Sequence, residues 1–320
     1  MNSNEILSLE TYNKLQEAVT LATLAYDNDT LLLRQLNDPN LATKANWQLV
    51  WGPSDLGSNR MYVVKSKSSN EYMIAIRGTI ESVESVFLDA DSLGLSSLPW
   101  DIGGAKMISD GMADGWNHLN AMVDPKTKLN LYQFINSLGL GIKIYVTGHS
   151  QGACLASVVA VWLLQTFNKN IIIPYTFASE SAGNYLFANL YNSYFNTVGL
   201  RVYNPFDIVP MGFADLDKMK QLYGKEPPYV LCPDGFKAII DGLEYTLPNY
   251  VQIGTGYQLK GFIVPVKGAV DIFNRSQVFI DEIEIQHSCF TYLYLLNAPL
   301  TYGAPKVWPP KYIVAKKLNR

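Results

Sequence analysis

Apolar residues recur at helical spacing over residues 5–26, through Ile6, Leu9, Tyr12, Leu15, Val19 and Ala22, and predict an amphipathic helix lying on a sheet. Residues 47–51, 60–65 and 71–77 read as three strands parted by Gly, Ser and Asn turns, the last two forming a hairpin across 66–70. Residues 110–138 read mostly as helix, and Gly139-Leu140-Gly141 turns the chain. A β-branched and aromatic run follows at 142–146, then a stretch to 165 rich in Ala, Leu and Val without Pro, which predicts a buried helix. Strand 171–177, helix 185–194 and strand 200–203 continue the alternation. Strands alternating with helices predict an α/β architecture, a mostly parallel sheet flanked by helices.

Between the run at 142–146 and its helix stands Gly148-His149-Ser150-Gln151-Gly152. Five residues of G-x-S-x-G recur by chance, and a capping serine in a tight turn is the bland reading. Here the pattern has a strand before it and a helix after it, the context of a nucleophile elbow, in which glycines let strand and helix pass closely and the serine sits at the apex. The helix N-terminus would then aim its free N–H groups at an oxyanion forming beside Ser150, with the N–H of Gln151 as one donor.

A serine hydroxyl needs a base, and after such an elbow the partners follow in the order acid, then histidine. The chain has three histidines, His118, His149 and His287. His118 precedes the serine, and His149 is its immediate neighbour, with a side chain directed away from it. His287 remains as the candidate base. The acid is less constrained, since Asp207, Asp215, Asp217, Asp234, Asp241, Asp271, Asp281, Glu180, Glu226, Glu244, Glu282 and Glu284 all lie between. Asp207 is preferred because it follows the strand at 200–203, and catalytic groups of α/β sheets collect past the carboxyl ends of strands. Its bland alternative is an Asx-turn carboxylate.

With these residues in place the chain resembles the class 3 lipases of the α/β-hydrolase fold, over residues 21–294. Ile76-Arg77-Gly78-Thr79 is similar to that family's F-R-G-[ST] segment, 147–152 to its elbow, Asn204-Pro205-Phe206-Asp207-Ile208-Val209-Pro210 to its N-x-x-D-x-V-P segment, and His287 with Tyr292 to its terminal histidine segment. Residues 108–116 look like a weak V-H-x-G-F segment with Ser109 in place of His. Residues 176–184 look like T-F-G-x-P-R-x-G-N with Ala178 and Glu180 in place of Gly and Pro. Residues 250–254 resemble a strand of the family, with Gln252 where histidine is common. The resemblance implies that Thr79 supplies an oxyanion-hole group opposite Gln151, and that residues 80–104 hold a lid; a plain surface helix that packs its apolar residues in the core reads equally well. Arg77 reads instead as a buried ion-pair anchor.

Composition narrows the rest. At 320 residues with 48% hydrophobic residues the chain can bury a full core, and the expectation is one domain over 1–320 with insertions at about 211–246 and 257–277 forming a cap or widening the cleft. A net charge of −3 does not suggest a nucleic-acid partner, and no apolar stretch is long enough for a transmembrane segment. Cys154, Cys232 and Cys289 have neither disulfide nor zinc spacing and read as small buried residues, so no metal or cofactor is expected. The start MNSNEILSLE has no basic or apolar signal region, which predicts a cytoplasmic or non-classically exported protein. The expected function is serine carboxylic-ester hydrolysis on a lipid or acyl-ester partner, at a lipid–water interface if the lid exists. A phospholipase or acyltransferase with the same triad, and a non-catalytic lipid-binding relative, are the alternatives.

Overall fold

The computed structural model describes residues 7–78, 94–223, 230–246, 249–268, 270 and 274–315. The chain opens with a helix, Leu9–Leu24, N-capped by Ser8, whose hydroxyl accepts from Thr11 N. The sequence pattern placed its start four residues earlier, and it did not suggest the second helix, Asp29–Leu36, capped by Asn28. Strands β1 (Trp47–Leu56), β2 (Asn59–Ser66) and β3 (Glu71–Ile76) form an antiparallel meander. The short β4 (Leu95–Ser97) and β5 (Met107–Ser109) come next, then β6 (Lys143–His149), β7 (Ile171–Phe177), the two-residue β8 (Gly183–Asn184) and β9 (Leu200–Tyr203). Short strands β10 (Tyr250–Val251), β11 (Gly256–Gln258), β12 (Val266–Lys267) and β13 (Ile313–Val314) complete the set.

The main sheet runs β1-β2-β3-β6-β7-β9-β11, parallel from β3 onward. Its inner strands are apolar on both faces, and their side chains divide by the two-residue period. Ile74, Ile76, Ile144 and Val146 join the core beneath the helix Gln151–Thr166, while Met73, Ala75 and Tyr145 join the core beneath Leu9–Leu24. The edge strand on the far side is β11, entered through Gly254-Thr255-Gly256. The expected strand at 250–254 shrinks to β10, which pairs with β8 in a separate small sheet.

The structure refines three further expectations. Residues 110–138 are mostly helix, in two pieces: Asp110–Ala121 ends before Asp124-Pro125, and a second helix, Leu131–Ser137, starts at an Asn130 capping box. Asp124 holds the intervening loop, its Oδ2 accepting from Thr127 N at 2.6 Å and Thr127 Oγ1 at 2.8 Å. Within the expected lid, 80–93 lies outside the described residues. The part from 94 to 104 is a strand and turn, in which Leu98 is fully buried and Trp100 packs on Trp116 at 5.2 Å. Arg77 is half-buried, with Asp55 at 3.5 Å and the Ser58 carbonyl at 3.0 Å; the more deeply buried anchor is Arg60, which meets Asp29 and Asp55 at 2.5 and 2.6 Å.

Residues on both sides of β10 and β11 build a third apolar cluster. Leu216, Met219, Tyr223, Phe236, Ile240 and Val264 pack there with Val278, Phe279 and Ile283 of the helix Arg275–His287. These residues are therefore packed directly against the helix that ends in His287.

Candidate active site

Register decides which residues meet. Ile76 of β3 lies beside Gly148 of β6, Gly148 beside Thr176 of β7, and Thr176 beside Arg201 of β9. These parallel strands end at one edge, so the segments following 76, 149, 177 and 203 emerge side by side. Gly148 and Gly152 permit the turn at the second of these exits. A Cβ on Gly148 would stand 2.2 Å from Gly152 O, and one on Gly152 would stand 2.4 Å from Ile76 O. Ser150, at the apex, has φ 60° and ψ −135°, a conformation that costs an L-residue about 1–3 kcal/mol. Its N–H donates to Phe177 O at 3.0 Å, which holds the apex against β7.

The Ser150 side chain does not cap the helix it precedes. Its Oγ lies 2.8 Å from His287 Nε2. His287 Nδ1 is 2.9 and 3.1 Å from the two carboxylate oxygens of Asp207. With its proton on Nδ1 and donated to Asp207, the imidazole leaves Nε2 free to accept the serine O–H. Asp207 is fully buried; Val209 N donates to its Oδ1 at 3.0 Å and the Tyr292 hydroxyl donates to its Oδ2 at 2.8 Å. Those donors fix the orientation of the carboxylate beneath the imidazole. His287 closes its 13-residue helix, and Ser288, extended at ψ 138°, caps the next helix, Cys289–Leu295, by accepting from Phe290 N at 3.2 Å. The break between the two helices carries the imidazole out over the elbow. Helix ends then oppose each other electrically: Ser150 sits at a positive N-terminus and His287 at a negative C-terminus.

The other candidate acids fall elsewhere. Asp215, Asp217, Asp234, Asp241 and Glu244 pair with surface lysines, and Asp281 is bonded to Gln277. Asp271 and Glu226 lie outside the described residues, as does Thr79. Gln151 opens the elbow helix, immediately after the serine. His118 is bonded to Asn59 at 3.0 Å, away from the elbow.

His149 points away from Ser150, as the motif predicts, yet its ring packs 4.7 Å from that of His287. Its Nδ1 is 3.3 Å from the Tyr26 hydroxyl. Burial and the neighbouring His287 charge hold its pKa well below the ordinary histidine range, so the base rests on a neutral ring. Glu180 is buried in the loop after β7, and one carboxylate oxygen has no partner among the described residues. Burial pushes its pKa up to about 7, and it lies within charge range of both His287 and Asp207. Composition alone could not find these two groups; only the departure from Pro at position 180 marks the second.

Among the described residues no helix is long and apolar enough to cross a membrane, and no group of three or more His, Cys, Asp or Glu is placed to hold a metal ion.

Comparison with known proteins follows the same geometry. Residues 73–216 match the sequence model of the lipase (class 3) family. Phospholipase A1-II 1 of Oryza sativa, subspecies indica and japonica, is 27% identical over 187 residues, 51% of this chain and 46% of the rice protein. The chain thus spans about half the length of the curated relatives it matches. Among solved structures, M37 lipase superposes with a TM-score of 0.72 at 24% identity, covering 91% of this chain and 93% of its own. The lipase from Rhizopus microsporus var. chinensis gives 0.52 at 16% identity, covering 64% and 70%. At such identities the structural likeness speaks for the fold, and the fold is that of the α/β-hydrolases. The match to the lipase (class 3) model runs from β3 through the elbow to Asp207 and just beyond, so the part of the chain that resembles this family is the part that carries the site.

Proposed function

We propose that the protein is a serine carboxylic-ester hydrolase that cleaves acyl esters of lipids through an acyl-enzyme on Ser150. The observation that carries this reading is the continuous hydrogen-bonded line Ser150 Oγ, His287 Nε2, His287 Nδ1, Asp207, at 2.8 and 2.9 Å. Ser150 Oγ attacks the acyl carbonyl carbon while His287 Nε2 takes the hydroxyl proton. Asp207 holds the tautomer and stabilises the imidazolium without taking a proton itself. The N–H of Gln151, at the positive end of its helix, binds the oxyanion, with Thr79 as the second donor. The imidazolium gives its proton to the departing alkoxide. Water, deprotonated by His287, then releases the fatty acid.

A fluorophosphonate probe tests the assignment: it labels the wild type and leaves Ser150→Ala unlabelled, and equal labelling of both overturns it. Replacing Ser150 or His287 by Ala lowers kcat on the order of a million-fold. The rice relatives are named phospholipases A1, which favours a glycerophospholipid as one substrate class. A screen of triacylglycerols, phospholipids and short soluble esters separates that choice from a neutral-lipid preference.

A further inference from the structure

The acid of the triad is held by more than its own loop. Asn204 begins that loop: its carbonyl accepts from Asp207 N at 3.0 Å, its Oδ1 accepts from Phe206 N at 3.1 Å, and its N–H donates to the Tyr292 hydroxyl at 3.2 Å. The far side of the Asn204 amide faces the helix that bears His287. Asn204 Nδ2 donates to Gln286 Oε1 at 2.6 Å and to Gln286 O at 3.2 Å. Gln286 Nε2 in turn donates to Phe262 O and to Glu282 Oε1, both at 2.6 Å, and Glu282 Oε1 also accepts from Val264 N at 3.0 Å. Asn204, Gln286 and Glu282 are all at most 1% exposed.

Phe262 and Val264 belong to the inserted segment, not to the sheet or its helices. That segment approaches Asn204 closely because residue 261 is glycine: a Cβ there would stand 2.1 Å from Asn204 Oδ1. Asn204 has no room to yield, since its amide is bonded at both ends. Two independent features, a buried amide bridge and a missing side chain, thus tie one insertion to one residue of the loop that holds Asp207.

We infer that Gln286 and Glu282 are positioning residues that clamp the inserted segment 261–264 to Asn204 and so align Asp207 with His287. The segment then acts on the site through this bridge, and it sets how firmly the base is oriented. Neither residue touches the reacting atoms; the effect passes through Asn204. A buried polar network of this kind is rigid when every member is satisfied and loose when one is removed. The inference rests on the triad reading above.

Gln286→Leu and Gly261→Ala break the clamp from opposite sides and are compared with wild type. The first readout is the titration of His287 by imidazole NMR, which needs no turnover and is tractable in a chain with three histidines. The groups facing this ring are Asp207, Glu180 and His149, and neither substitution removes any of them. A misaligned Asp207 stabilises the imidazolium less, so the midpoint falls by about half a pH unit or more in both variants. The second readout is kcat per site titrated with fluorophosphonate on a soluble ester: it falls roughly tenfold or more with KM within about twofold, as expected for a loss felt in the transition state. A merely structural role lowers the melting temperature and the titratable fraction, but leaves the midpoint and the per-site kcat at wild-type values; that result in both variants overturns the inference. Absence of ester hydrolysis by the wild type overturns the triad reading instead, and the NMR titration still decides the clamp.

Discussion

At the scale of single residues, the site is held in a conformation that Ser150, the proposed nucleophile, does not favour. Ser150 is one of a few non-glycine residues with positive φ, and its ψ of −135° places it where glycine is the natural occupant. The structure keeps it there by fixing the backbone on both sides, through the Phe177 carbonyl and the glycines of the elbow. Stability and function should therefore part company at this position. Ser150→Ala loses the bond to His287 but keeps the strain. Ser150→Gly loses the same bond and relieves the strain, so it should be more stable than Ser150→Ala by about 1–2 kcal/mol in denaturant unfolding. Equal stability of the two variants would show that the apex is unstrained. Some single residues could be read directly from sequence, because the triad depends on order along the chain as well as on identity. Of three histidines only His287 follows the serine, and Asp207 follows a recognisable strand. Glu180, His149 and Gln286 carry no such mark. Their importance comes from what they are buried against, and burial is a property of the folded register.

At the scale of elements, glycine tolerance separates the close-packed elbow from the open surface of the helix Asp234–Thr246. A methyl group on Gly152 would stand 2.4 Å from Ile76 O and 2.6 Å from the Arg77 carbonyl carbon, both backbone atoms of the neighbouring strand exit. Gly152→Ala should cost about 3 kcal/mol or more and remove most soluble folded protein at 37 °C, measured as yield and melting temperature. Gly242 lies inside the helix Asp234–Thr246, where an added Cβ meets nothing within 4 Å. Gly242→Ala should stabilise by about 0.5–1 kcal/mol, since alanine loses less backbone entropy in a helix. The same contrast explains which elements the sequence made legible. Strands β2, β3, β6 and β7 are apolar on both faces and bounded by turn residues, so local pattern suffices. The break at Asp124-Pro125, the helix Asp29–Leu36 and the edge strand β11 depend on side-chain bonds and partners far away in the chain. The helix Arg275–His287 was equally hidden: it packs on an insertion rather than on the sheet, and its apolar face has no contrast to reveal it. In residues 94–104 the pattern left a lid and a core-packing element equally open; Leu98 is buried in the core and Trp100 packs against it.

At the scale of the whole molecule, two cores sandwich the sheet and a third joins the insertion to the His287 helix, and buried carboxyls lie at two of the junctions. Glu180 stands beside the triad, and Glu282 stands between the third core and the Asp207 loop. Burial raises each to about 7, from an ordinary value of 4.5. Between those two values the native state holds a proton that the unfolded chain has lost. Stability contributed by the neutral forms is therefore fully present below about pH 4.5 and is lost as pH rises to about 7, on the order of 3 kcal/mol for each group. His149 works in the opposite direction: its pKa is depressed, so its contribution is present above the ordinary histidine range and is lost as pH falls. Because the wild-type curve contains both, the informative quantity is a difference between proteins. Glu180→Gln and Glu282→Gln cannot ionise, and chemical denaturation of each at pH 4.5 and pH 8 should show a smaller fall in stability than the wild type by a few kcal/mol. Parallel curves would mean that both carboxylates are ionised at neutral pH despite their burial.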